Sequence, residues 1–177
     1  MEKLLLGVFD KYSDADSAYS SLVARGYTGM DISVITRENT VKQIMDNTRD
    51  TAKGIAGAAA TGGVVGGIVG ILTGIGALTI PGIGALFIAG PIAALLGLSG
   101  AAALTASGAL TGVMAGGVVG VLKEVGLDEI NAKVIEGKIK DGSVLLAVNC
   151  QSSEENMVRE IYKTNNADNL TSIDLEK

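Results

Sequence analysis

Polar and apolar positions divide the chain into three parts. Residues 1–52 and 125–177 alternate short apolar runs with charged segments, whereas Gly54 to Leu122 contains no Asp, Glu, Lys or Arg. In the first part, Leu4-Leu5-Leu6-Gly7-Val8-Phe9 is a short apolar run bounded by polar residues and predicts a buried strand. A helix follows from Ser13, with Asp14 and Asp16 in its first turn, where acids complement the helix dipole. Ala15, Ala18, Leu22 and Val23 form its buried side, and Gly26 ends it. Asp31–Arg37 reads as a second strand, making a βαβ unit, and 39–53 as a mixed-charge helix.

The last part opens with a turn and cap at Gly126-Leu127-Asp128. It continues as an amphipathic helix over 128–141, with Ile130, Val134 and Ile135 inward and Lys133, Lys138 and Lys140 outward. Ser143–Cys150 is the clearest strand in the sequence. Ser152 and Glu155 have the spacing of a capping box at the head of a helix through Lys163, with Met157, Val158 and Ile161 on its core side. Alternation through Thr171, Ile173 and Leu175 gives a final strand. Without the middle and its trailing helix the order is βαββαβ, a ferredoxin-like arrangement. Two strands on their own are marginal, so the halves must share one sheet. The middle must then leave and return on the same side.

That middle holds 19 of the 25 glycines. Gly54, Ala58, Gly62, Gly66, Gly70 and Gly74 fall four apart, as do Gly108, Gly112, Gly116 and Gly120. On a helix each series makes a smooth flank where another backbone can approach closely. A glycine inside a helix costs about 1 kcal/mol relative to alanine, so only close packing or lipid offsets the loss. The series also drifts around a 3.6-residue helix, so each arm must meet more than one neighbour. Pro81, Gly82, Gly84 and Pro91 punctuate the centre. The expectation is an α+β head, 1–52 and 125–177, interrupted by a Gly/Ala-rich helical hairpin over 53–124. Its tip lies at 79–100, with a short helix near 85–97. Gly62, Gly66, Gly70, Gly74, Gly108, Gly112, Gly116 and Gly120 are the candidate self-association residues.

Composition narrows the chemistry. Net charge is −5 across 177 residues and the chain has no basic cluster, so a nucleic-acid footprint is missing. His and Trp are absent, and Cys150 is the single cysteine, expected to be a buried structural thiol. Nucleophilic triads have no evident players, and three good zinc ligands cannot be assembled. Gly82-Ile83-Gly84 starts a dinucleotide-like glycine string, but Phe87 stands where the third glycine belongs. Asp14 and Asp16 read as helix-start charges. No enzyme activity, cofactor, metal or small-molecule substrate is expected.

Several segments resemble a known family. Gly7-Val8-Phe9-Asp10 with Asp16, then Gly26-Tyr27 and Asp31-Ile32-Ser33-Val34-Ile35, are similar to the first motif of the bacterial general stress protein family. The run Gly74 to Gly84 with Ala89-Gly90-Pro91 is similar to that family's hairpin tip, and Gly126-Leu127 with Gly142–Leu146 to its closing motif. The resemblance implies a stress-induced protein without known catalysis.

Three functions compete on these residues. The first is a membrane-associated homo-oligomer, with the hairpin in or against a lipid membrane and the head on the cytoplasmic side. Lys53 and Lys123 at the hairpin roots fit that orientation. The second is a soluble cytoplasmic assembly, a particle or filament, in which hairpins bury one another. The third is a monomeric regulatory domain whose hairpin folds on its own sheet.

Overall fold

The structure, a computed structural model, describes residues 2–54, 67–72, 78–80, 82–95 and 111–175, with the backbone alone described at 47–54, 70, 95 and 111–115. The elements run β1 (Glu2–Phe9), α1 (Tyr12–Ala24), β2 (Ile32–Arg37), α2 (Glu38–Gly54), α3 (Ile68–Leu72), β3 (Leu78–Ile80) and β4 (Gly84–Ala89). They continue with α4 (Pro91–Leu95), α5 (Thr111–Glu124), α6 (Glu129–Lys140), β5 (Val144–Gln151), α7 (Glu155–Thr164) and β6 (Asp168–Leu175). The strands form one antiparallel sheet in the order β3-β4-β2-β5-β1-β6. The two charged flanks therefore share a sheet. β1 pairs with β5 along its whole length, from Glu2↔Gln151 to Phe9↔Val144, and β2 pairs with β5 through Ile32↔Val148.

The sheet is covered on both faces, which is why its central strands read as continuous apolar runs rather than alternating ones. Leu4, Leu6 and Val8 of β1 join Leu145 and Ala147 of β5 in one core, roofed by α4, α5 and α6. Leu5 and Phe9 point the other way, to Val144, Leu146, Val148 and Cys150, under α1, α3 and α7. Tyr162 of α7 is fully buried in this second core, its ring edge-on to Phe9 at 5.4 Å. Burial of each such side chain contributes about 1.5–3 kcal/mol. Gly26 and Gly142 end α1 and α6 with φ of 99° and 102°, as the sequence leads one to expect.

The middle departs most from expectation. The turn at Gly82 and Gly84 forms, both with positive φ, but the short helix expected at 85–97 does not. Residues 84–89 are a strand instead, and only Pro91–Leu95 is helical. The cause is the free edge of β2: Gly84–Ala89 pairs with it from Val34↔Ala89 to Arg37↔Leu86, and Leu86 and Ile88 enter one core while Phe87 and Ala89 enter the other. In the first arm, 52–78, α2 runs to Gly54, α3 spans Ile68–Leu72 and Leu78 already belongs to β3. The second arm, 101–124, is helical over Thr111–Glu124, with a break at Gly117 (φ 59°, ψ −149°). Its remaining residues lie outside the described ones, as does the rest of the first arm. Over 78–95, where a tip with one short helix is expected, the chain thus forms strands and a five-residue helix built into the sheet.

Smaller corrections follow from the covered faces. On α6 the buried residues are Ala132, Ile135 and Ile139, while Ile130 is 77% and Val134 45% exposed. The side that packs into the core with Leu6, Ile35 and Leu145 of the sheet is the one that carries Ala132, Ile135 and Ile139. Val23 of α1 is exposed as well, and Tyr19 takes the buried place. The capping box at Ser152 and Glu155 is not what opens α7. Glu154 is the capping residue and its carboxylate accepts from the Gln151 N–H, because Glu155 is drawn to Lys3 and Arg159.

Candidate functional site

A helix begins with N–H groups that have no partner of their own, and Ser, Thr, Asp or Asn commonly supplies one. The described helices of the uncharged middle begin after glycine: α3 after Gly67, α4 after Gly90, and the second half of α5 after Gly117. Each takes its acceptors from the charged flanks. The Ile68 N–H donates to Asp16 Oδ1 at 2.9 Å and the Val69 N–H to the Tyr12 hydroxyl at 3.1 Å, both on α1. The Ile92 N–H donates to Ser33 Oγ on β2 at 3.0 Å, and the Val119 N–H to Glu136 Oε2 on α6 at 3.2 Å. These four side chains hold the uncharged middle onto the domain.

The glycines are what let them reach. A Cβ at Gly67 would overlap the Asp16 carboxylate, and one at Gly90 would run into the backbone carbonyl of Ile32. Gly117 sits in a region of backbone space close to glycine-only, and that conformation, not lack of room, is what calls for glycine there. Burial and the nearby Asp16 carboxylate push the Tyr12 hydroxyl up to about 12, although the Val69 N–H works against them. Tyr12 therefore stays protonated well past neutrality.

Of the eight expected self-association residues, Gly70, Gly112, Gly116 and Gly120 lie among the described residues. Gly62, Gly66, Gly74 and Gly108 lie outside the described residues, with Pro81 of the tip. Gly70 falls in α3, Gly112 in the first half of α5 and Gly120 in its second half. Gly116 is exposed, with open space where a Cβ would stand. Pro91 is the first residue of α4, where a missing N–H does no harm.

No family model matches the chain, and no curated protein or solved structure does either.

Two polar clusters lie elsewhere in the domain. Lys138 of α6 bridges Asp10 at 2.9 Å and Asp168 at 3.0 Å, and Ser143 also donates to Asp10. Lys138 first and Ser143 second hold the Asp10 carboxyl below its usual range. On the other side Lys3 bridges Glu155 at 2.9 Å and Asp174 at 3.2 Å, while Arg159 binds Glu155 at 2.7 Å. Arg159 and then Lys3 bring Glu155 down to about 2. Cys150 is buried and its thiol is pushed up by desolvation, which leaves it protonated and a poor nucleophile. Among the described residues no group of three or more His, Cys, Asp or Glu is placed to hold a metal ion, and no helix is long and apolar enough to cross a membrane.

Tyr12, Asp16, Ser33 and Glu136 were not singled out as clamps from the sequence, where Asp16 reads as a helix-start charge. The signal that points to them is indirect. A segment with helical periods but glycines at its caps needs acceptors from outside itself.

Proposed function

We propose that the protein is a non-enzymatic, self-associating structural protein of the general stress type that its motifs resemble. Its core is a ferredoxin-like sheet, β2-β5-β1-β6, to which the chain's own uncharged middle adds β4, β3 and a covering layer. The remaining uncharged segments, 55–66 and 96–110, together with the first half of α5 that continues the second, bring copies together in a homo-oligomer.

One observation carries this reading. Ile80, Leu86, Ile88, Ile92, Val118, Val121 and Leu122, all from the middle, are buried in the same core as Leu4, Leu6 and Val8 of β1. Apolar residues committed to the domain's own sheet are withdrawn from lipid. Of the uncharged segments left over, 55–66 is shorter than the roughly 20 residues a spanning helix needs, so a hairpin that crosses and returns has one segment of that length, 96–117, and lacks the second. A soluble assembly is therefore favoured over a spanning hairpin. Contact with a membrane surface is the second reading, favoured by the lack of any charge through 55–66 and 96–110.

Fractionation of cells followed by a carbonate wash and sizing separates the two. Large lipid-free particles in the soluble fraction support assembly; retention in washed membranes supports the second reading. Gly116→Leu is the sharper probe, because among the described residues nothing stands within 4 Å of a Cβ added there. Loss of assembly with an unchanged melting temperature is the expected result. Unchanged particle size in Gly116→Leu removes α5 from the association surface.

A further inference from the structure

Among the described residues, the outer face of α6 shows large apolar side chains to solvent in helical register. Ile130 and Val134 are one turn apart and exposed, and Gly137 follows one turn later with open space where its Cβ would be. On a helix these three line one side, opposite Ala132, Ile135 and Ile139, so the stripe is two knobs beside a notch. Along the flank nearer α5 the charges alternate: Glu129, Lys133, Glu136, Lys140. Within one chain they pair as Glu129–Lys133 at 2.7 Å and Glu136–Lys140 at 2.9 Å, while the second oxygen of Glu129 meets Lys123 and that of Glu136 the Val119 N–H, both on α5.

We infer that this face docks on the α6 of a second copy, antiparallel, about a twofold axis beside Val134. The alternation selects both the partner and the direction. Read backwards, acid-base-acid-base becomes base-acid-base-acid. Two antiparallel copies therefore set Glu129 against Lys140 of the second copy and Lys133 against its Glu136, with the reciprocal pairs by symmetry. Parallel docking would instead set this flank against the opposite one, which carries Asn131 and Lys138 and no such alternation. Antiparallel docking also opposes the helix dipoles. Ile130 of each copy then meets the notch at Gly137 of the other. The helix is roughly 18 Å long, so the contact is small and the dimer weak. This face is separate from the segments proposed above to bring copies together, and the two are tested apart.

The test is position-specific cross-linking of the purified full chain. Cys150 is buried, which keeps the background low. Val134→Cys is expected to form an intermolecular disulfide quickly under mild oxidation. Asp141→Cys is not, because antiparallel docking separates its two copies by roughly 20 Å. Adding Ile130→Glu to Val134→Cys slows cross-linking by about tenfold or more. Ile130 is exposed, so the variant folds normally, as its melting temperature will report. Adding Gly116→Leu leaves the rate unchanged, which distinguishes this face from the association surface in α5. Equal cross-linking at 134 and 141, none at either, or a rate insensitive to Ile130→Glu overturns the inference. The same holds if Ile130→Glu lowers the melting temperature of a monomer, since the face is then covered by the chain itself.

Discussion

The helix α6 and the helices of the uncharged middle solve the same problem in opposite ways. α6 carries its own cap: the Asp128 carboxylate accepts from the Asn131 N–H at 3.0 Å, three residues away. α3 and α4 take theirs from Asp16 and Ser33, which precede the receiving N–H by 52 and 59 positions, and the second half of α5 takes its from Glu136, 17 positions later. A flank helix can begin wherever its own sequence says. A helix of the middle is completed only once the sheet has formed and brought the acceptor. The middle is therefore conditional structure, and opening it should precede loss of the flanks.

The largest break in this comparison comes from Gly90. Its φ of 82° disfavours any side chain, and a Cβ there meets the Ile32 backbone, which cannot give way without moving β2. Gly90→Ala is expected to cost about 3 kcal/mol or more, read as a shift in the urea midpoint. Gly29→Ala is the matched change in a flank: nothing stands within 4 Å of its Cβ site, and the effect should stay within about 0.5 kcal/mol. Similar losses at both sites would mean that the middle is no more dependent on close approach than the flanks are.

The borrowed caps come next. Ser33 is buried, and Ser33→Ala leaves the Ile92 N–H without an acceptor, at about 1–3 kcal/mol. Asp128→Ala removes a cap that solvent can partly replace, at about 1 kcal/mol. Hydrogen exchange sharpens the contrast beyond the energies. Ser33→Ala should speed exchange through α4 while α6 keeps its protection, whereas Asp128→Ala should act on the first turn of α6. A uniform rise across the domain in Ser33→Ala would contradict the conditional reading.

Asp16 gives a smaller and more selective effect. Asp16→Ala is expected to cost about 1 kcal/mol, and Asp16→Asn, which keeps an oxygen for the Ile68 N–H, only a few tenths. The amide exchange rate of Ile68 should follow the same order. If Asn and Ala behave alike, the carboxylate matters through its charge and not as an acceptor.

Strands and flank helices were legible in the sequence because their signals are local. Leu4–Phe9 and Val144–Val148 are apolar runs of strand length, and Gly26 and Gly142 sit where helices stop. In the described part of the middle, what the sequence conceals has a cause that applies to any apolar segment rich in glycine. Four-residue spacing looks the same whether the small residues face another helix or admit a capping side chain. Gly67, Gly90 and Gly117 belong to neither spaced series that suggested a groove. What separates the two cases is the partner, and Asp16, Ser33 and Glu136 become partners only through the fold. Likewise Ile130 and Val134 have the spacing of a core stripe, but the sheet core lies under the opposite side of α6, at Ala132, Ile135 and Ile139. The strand at 84–89 was hidden by the same non-local cause, since the free edge of β2 recruits it.

The smallest expected effect concerns acid, and it again divides flank from middle. Every carboxylate lies outside 54–122, so lowering the pH acts directly on the flanks and reaches the middle only through them. Glu155 is the group to follow. Arg159 and Lys3 hold it at about 2, against an ordinary value of 4.5. A carboxyl whose pKa is lower in the folded state stabilises fully above pH 4.5, and that contribution is lost as the pH falls toward 2. Asp10, lowered by Lys138 and Ser143, acts in the same direction over a range that begins near 3.8. Lys3→Met should move the titration of Glu155 back toward 4.5, as followed by carboxyl NMR, and should flatten the fall in stability between pH 4.5 and 2. Lys3 and Glu155 are both partly open to solvent, so the change in stability is small and shrinks further in salt. An acid limb of unchanged slope in Lys3→Met would leave Arg159 as the partner that sets the value, a result consistent with its shorter contact of 2.7 Å.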